Sequence, residues 1–148
     1  MALVVIVADC VPILLFDPIN QAVGAVHAGW RGTVDLVVKR AVEKMKAEYR
    51  TDPAQILAYI GPSAGMCCYE IGEEVAILFG NKVVHYKDKK IFLDLKKENM
   101  LQLLQQGVSK SNIEVSTSCT ICEKELFHSY RRDGMKAGRM IAVICMMQ

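Results

Sequence analysis

The chain has 148 residues, with 18 basic and 16 acidic side chains and a formal net charge of +2. That length fits a single domain over residues 1–148, and the near balance of charge offers no concentrated basic face for nucleic acid. A hydrophobic fraction of 52% implies strands buried on both faces rather than one-sided surface strands.

The chain opens on MALVVIVADC, an apolar run with no basic residue before Arg31 and with Asp9 interrupting it. A secretory signal wants a positive start and a longer apolar core. A membrane span needs about 20 apolar residues. A buried strand in a cytoplasmic protein, with no membrane partner, is therefore expected. The six cysteines agree, because Cys67 and Cys68 are adjacent and Cys119 and Cys122 lie close together, a poor disulfide framework for a secreted domain.

Residues 3–8, 11–16 and 22–28 read as β-rich runs, with the turn Asp17-Pro18-Ile19-Asn20 between the second and third. Gly29 to Gly32 reads as a loop. Thr33 then stands as a helix N-cap with Asp35 in the first turn, and Val34, Val37, Val38, Ala41, Val42 and Met45 form a helical stripe. Residues 56–60 predict a strand stopped by Gly61-Pro62, followed by a loop carrying Cys67-Cys68 and a short helix near 72–79. Strands are expected near 83–86 and 91–95, then an amphipathic helix over 96–106 closed by Gly107 in the left-handed region. A short strand at 112–116 and a buried terminal strand in RMIAVICM complete the pattern. Intermingled strands and helices make the class α/β or α+β, with no repeat or linker.

Five groups of residues bear on chemistry. Antiparallel pairing of 11–16 with 22–27 would bring Cys10 near His27, as a metal or nucleophile pair or as a packed thiol beside a satisfied core histidine. HAGWRG places Arg31 between two glycines ahead of a helix, an arrangement suited to an anion, phosphate in particular, or else a plain turn with a solvated arginine. IGPSAGMCCYE is a loop that could line a site through Cys67 and Cys68 or hold structural cysteines. CTIC (Cys119 to Cys122) lacks a second pair at zinc-ribbon spacing, so no structural zinc is expected there, only a rigid loop near the site. In SYRRDG, Arg131, Arg132 and Asp133 offer a substrate clamp or a buried ion pair.

Taken together, ADCVPILLFDP, AVGAVHAGWRGT, IGPSAGMCCYEIGEE, CT and SYRRDG…GRM resemble the YfiH/laccase-domain family, also called the multicopper polyphenol oxidase family. The resemblance implies an α/β sandwich of mixed sheets flanked by helices. It implies a zinc site of one cysteine and two histidines, with Cys10 and His27 matching two of those ligands. It implies purine nucleoside phosphorolysis with adenosine deamination as a companion reaction, so purine nucleosides and phosphate are the expected partners. A copper oxidase centre is disfavoured, because imidazole is the usual copper ligand and the chain has 3 histidines.

The family's first histidine ligand lies ahead of the segment matched here, so the chain resembles the C-terminal portion of the domain. Its third zinc ligand is then expected from outside this chain. His85 and His128 match no family ligand. An apolar surface left uncovered by the short N-terminus favours a homo-oligomer. In this reading Cys10, His27 and Asp9 are the candidate catalytic residues, Asp9 orienting His27 or a water. Cys10 and His27 are the metal ligands. Arg31, Arg131, Cys67 and Cys68 meet substrate, with Arg31 on the phosphate. The alternatives are a cysteine hydrolase in which His27 activates Cys10, a phenol oxidase as the family's older label says, or an inactive partial domain that binds a partner.

Overall fold

The structure, a computed structural model, describes residues 2–146. It is a mixed α/β fold of three sheets. The central sheet runs in the order β3-β2-β4-β8, from β2 (Val11–Asp17), β3 (Ala22–Ala28), β4 (Leu57–Ile60) and β8 (Ile113–Val115). β2 is antiparallel to both β3 and β4, and β4 is parallel to β8. The β2–β3 hairpin follows its turn chemistry. The Asp17 carboxylate accepts the amides of Ile19 and Asn20 at 2.9 and 3.0 Å and the Asn20 side chain at 2.9 Å, closing an Asx turn. Val11, Ile13 and Leu15 alternate into the core, as the two-residue period of a strand requires.

Helix α1 (Trp30–Val34) and helix α2 (Val37–Tyr49) replace the single helix expected after Gly32. The break is at Leu36, which sits in the left-handed region with φ 59°. Thr33 is not an N-cap. It is wholly buried inside α1, where its hydroxyl accepts from Asn99 Nδ2 at 3.0 Å and its carbonyl from Gln102 Nε2 at 3.0 Å. A side chain committed to a neighbouring helix is not free to cap an amide. The stripe from Val38 to Met45 still packs: Val38, Val42 and Met45 are buried, and a Cβ on Gly24 would stand 3.3 Å from the Met45 sulfur. Burying each valine contributes about 1.5–3 kcal/mol.

Helix α4 (Leu95–Gln105) follows, after the small helix α3 (Glu73–Ala76) and an antiparallel sheet in the order β5-β7-β6: β5 (Glu70–Ile71), β6 (Val84–Lys87) and β7 (Lys90–Leu93). The buried side of α4 is half polar, with Asn99 and Gln102 beside Leu95 and Leu103, because that side meets the backbone and hydroxyl of α1. Gly107 takes φ +93° just past the helix, as its position implied.

The first and last strands correct the expectation of fully buried ends. β1 (Ala2–Val7) pairs antiparallel with β9 (Met140–Cys145) in a separate two-stranded sheet, and both alternate between exposed and half-buried positions. Val4, Ile6, Ile141 and Val143 are each at least half exposed on one apolar face. A two-stranded ribbon packed on one side only leaves its other side in solvent.

Candidate functional site

The β2–β3 register sets the first group of residues. Pro12 faces His27 and Val11 faces Ala28, so Cys10 falls beside Gly29, where a Cβ on the glycine would lie 3.0 Å from the Cys10 sulfur. The hairpin thus brings Cys10 and the HAGWRG segment together. His27 is exposed on the strand and Cys10 half-buried. Burial, and after it the neighbouring Asp9 carboxylate, push the Cys10 thiol up. That environment disfavours a nucleophilic thiolate, which needs a lowered thiol.

Asp9 holds this corner to two distant segments. It occupies the left-handed region with φ 84°, which an aspartate tolerates. Its Oδ1 accepts from the Thr120 hydroxyl at 2.7 Å, and its Oδ2 from the Ser129 hydroxyl at 3.1 Å and the Arg131 amide at 2.7 Å. Ser129 is fully buried, and its oxygen also accepts the Arg132 amide at 3.1 Å, capping helix α5 (Tyr130–Asp133). Thr120, Ser129 and the Arg131 amide therefore supply these bonds to the carboxylate, and His27 is not among the donors.

The two arginines of SYRRDG divide their roles. Arg132 makes a fork to Asp133 at 2.9 and 2.8 Å and donates to the carbonyls of Thr120, Ile121 and Phe127, tying its own loop together. Arg131 instead donates to the Glu70 carbonyl at 2.8 Å and lies over the Tyr69 ring, 5.2 Å from its centroid. Arg31 lies in the first turn of α1, with its guanidinium 4.3 Å over the Trp30 ring. Tyr69 had no role in the sequence reading, yet it joins these groups. Burial pushes its phenol up, the Arg131 charge pulls the other way, and Cys10, Asp9 and Arg31 act on it as well. Its place directly after two cysteines, in a loop leaving a strand, was the available signal.

Cys67 and Cys68 turn to a different group. β4 and β8 are parallel, so the loops that follow them leave at the same end of the sheet, and an isolated bridge between Ser63 and Cys119 continues the pairing. The sulfurs of Cys67, Cys68, Cys119 and Cys122 all lie within 4.8 Å of one another. Cys122 is 3.4 Å from Cys67 and 3.1 Å from Cys68. This overturns the expectation that CTIC has no second pair: the partner pair sits 54 to 55 residues away and is joined by strand pairing, not by local spacing. Burial alone would raise the Cys119 thiol, but the amides of Cys122, Gly65 and Ile121 donate to it and it falls to about 7. Cys67 is pushed up to about 11, first by burial and then by its bond with Cys122.

These four cysteines could hold a metal ion, and among the described residues they form the one such group of three or more donors. Among the described residues, Cys10 and His27 belong to no group of three or more such donors. His85 lies in β6 opposite Phe92, and His128 lies against Gly138.

The family model described as multi-copper polyphenol oxidoreductase laccase matches residues 1–147, and the chain belongs to that family. It is 44% identical over 146 residues to a purine nucleoside phosphorylase of Clostridium acetobutylicum, covering 95% of this chain and 60% of that protein. It is 39% identical over 140 residues to adenosine deaminase RL5 from an unknown prokaryotic organism, covering 89% of this chain and 53% of that one. The crystal structure of the Bacillus licheniformis hypothetical protein YfiH superposes with a TM-score of 0.91 at 37% identity, over 96% of this chain and 56% of that chain. The chain thus spans a little over half the length of each of these three relatives. No described helix is long and apolar enough to cross a membrane.

Proposed function

We propose that the chain acts on purine nucleosides, cleaving the bond between base and ribose with phosphate and deaminating adenosine as a companion reaction. The observation that carries this reading is the placement of Arg131 over the Tyr69 ring, with its amide bonded to the Asp9 carboxylate beside Cys10. In phosphorolysis the bond from ribose C1′ to the base nitrogen breaks, a phosphate oxygen bonds to C1′, and the base leaves with a proton. Arg31, already stacked on Trp30, suits the phosphate, and Arg131 over Tyr69 is the second candidate cation. Tyr69 presents an aromatic face on which a purine can lie. Asp9 acts as a positioning residue, because its carboxylate is engaged with Thr120, Ser129 and the Arg131 amide.

In this reading Cys10 and His27 would hold zinc with a third ligand from outside this sequence, and the ion would supply Lewis acidity when bound. The six cysteines, all free, accord with a cytoplasmic setting. The cysteine-hydrolase alternative is weakened by the raised Cys10 thiol. The oxidase alternative is weakened by the chain's stock of 3 histidines, since imidazole is the usual copper ligand.

The test is incubation of inosine or adenosine with phosphate, using this chain and a full-length relative side by side, with free base and ribose 1-phosphate as the readout. Arg31→Ala should lower kcat/KM by about 100-fold, the scale of losing one positioned charge-stabilising donor. Copper-dependent oxidation of phenols with nucleosides left intact would overturn the reading.

A further inference from the structure

We propose that Cys67, Cys68, Cys119 and Cys122 bind one zinc ion as a tetrathiolate, and that this ion is a structural clip between the two loops that follow β4 and β8. The clip is separate from the Cys10 and His27 corner and stands independently of the nucleoside reading.

The geometry comes first. Tetrahedral zinc with bonds near 2.3 Å spaces its four sulfurs about 3.8 Å apart. All four sulfurs here already lie within 4.8 Å of one another, with the closest pairs at 3.1 and 3.4 Å. Small rotations about the Cα–Cβ bonds separate the thiols found at close contact to the zinc spacing. Each pair is presented by a tight turn. The Cys68 and Tyr69 amides both donate to the Gly65 carbonyl, at 3.0 and 2.9 Å. The Glu123 amide donates to the Cys119 carbonyl at 3.0 Å, while the Glu123 carboxylate accepts the Cys119 amide at 2.9 Å and the Ser118 hydroxyl at 3.2 Å.

The surroundings suit a metal better than plain packing. A cysteine that merely fills space is normally buried, yet Cys67 and Cys122 are exposed and Cys68 is half-buried. The Gly65 amide donates to the Cys119 sulfur at 3.2 Å, the kind of outer contact that orients a metal thiolate. A side chain on Gly65 would press on Cys119 and Cys67 at 3.1 to 3.3 Å, so the turn is closed tightly around the sulfurs. Four thiolates on a divalent ion leave a net negative charge. The buried Lys96 shares a cleft with Cys67 and Cys119 and is anchored to the carbonyls of Ser116 and Ser118 at 2.8 and 2.7 Å, so its ammonium offsets that charge. Soft thiolate donors with no imidazole or carboxylate in the set select zinc among the divalent ions of ordinary structural sites.

The experiment is metal analysis of the whole chain purified under reducing conditions, paired with replacement of the ion by cobalt. One zinc per chain is expected, and the cobalt form should show tetrahedral d–d bands with intense thiolate-to-cobalt charge transfer. Cys122→Ser should lower zinc affinity at least tenfold, and Cys68→Ser/Cys122→Ser should abolish stoichiometric zinc. Cys10→Ser and His27→Ala should leave this ion in place, which separates the clip from the other site whatever becomes of the nucleoside activity. The cobalt spectrum is read on the unmodified chain, so the proposal stays testable if a variant fails to fold. Zinc content unchanged in Cys68→Ser/Cys122→Ser would overturn it. So would a cobalt spectrum lacking thiolate charge transfer, iron in place of zinc, or a Cys68–Cys122 disulfide in the metal-free chain after purification under reduction.

Discussion

The molecule carries two sulfur-bearing corners, and they are made differently. Cys10 and His27 lie on one β-hairpin, where a turn of four residues fixes the register and the two segments are neighbours in sequence. The four-cysteine corner joins two loops more than fifty residues apart, and it depends on a parallel strand pair sending both loops to one end of the sheet. The first corner has few donors and an open, exposed histidine. The second has a full donor set and tight turns. A hairpin readily sets two side chains side by side, whereas a complete shell of four needs segments from several parts of the chain.

Asp9 couples the corners, and its removal should have the largest effect. It is bonded to Thr120, next to Cys119, and to the Arg131 amide, next to the Tyr69 group. Asp9→Ala strips three donors of a charged acceptor and should lower stability by about 3 kcal/mol. Chemical denaturation would measure that loss, and thiol reactivity would report whether both corners loosen. A variant of unchanged stability whose corners respond separately would show that they are uncoupled.

A smaller change should separate them. Thr33→Val keeps the shape of a buried residue but removes the acceptor for Asn99, at an expected cost of about 1–2 kcal/mol. It should disturb α1, and with it Arg31, while leaving the four-cysteine corner intact. Anion binding and metal content measured on the same sample would test this. Loss of metal without loss of anion binding would reverse the comparison.

The smallest effect on stability belongs to a surface far from both corners. Ile141→Lys, on the exposed face of the β1–β9 sheet, should change stability by no more than about 0.5 kcal/mol. We propose that copies of the chain associate through the apolar face formed with Val4, Ile6 and Val143, and the new charge should then weaken association in sedimentation. Unaltered association would mean that copies of the chain meet elsewhere.

The hairpin was legible because Asp17-Pro18-Ile19-Asn20 carries its own turn chemistry and the flanking runs carry strand composition. Gly107 was legible for a similar local reason. The break between α1 and α2 was not, since a regular apolar stripe runs straight through Leu36 and only the tertiary bonds of Thr33 show why the helix must restart. The four-cysteine corner was hidden because the CTIC spacing was compared with a local template, while its partners arrive through the β4–β8 pairing. Arg131 and Arg132 could not be told apart from sequence. They are consecutive, and one faces its own loop while the other reaches Tyr69 and Glu70. The apolar ends misled for a simpler reason: hydrophobic composition reports what a strand is made of, not whether anything covers its second face.

The β1–β9 ladder has a kinetic consequence as well. It pairs Ala2 with Cys145, so nearly the whole described chain forms the loop that this ladder closes. Closing a loop of that length costs more entropy than closing the four-residue turn of the β2–β3 hairpin, and contacts of such wide sequence separation slow folding. On these grounds the hairpin is expected to form early and the terminal ribbon to zip last onto the core. On the native side of the barrier, the same ribbon, solvent-lapped on one face and two strands wide, is expected to exchange its amide hydrogens through local opening while the central sheet stays shut.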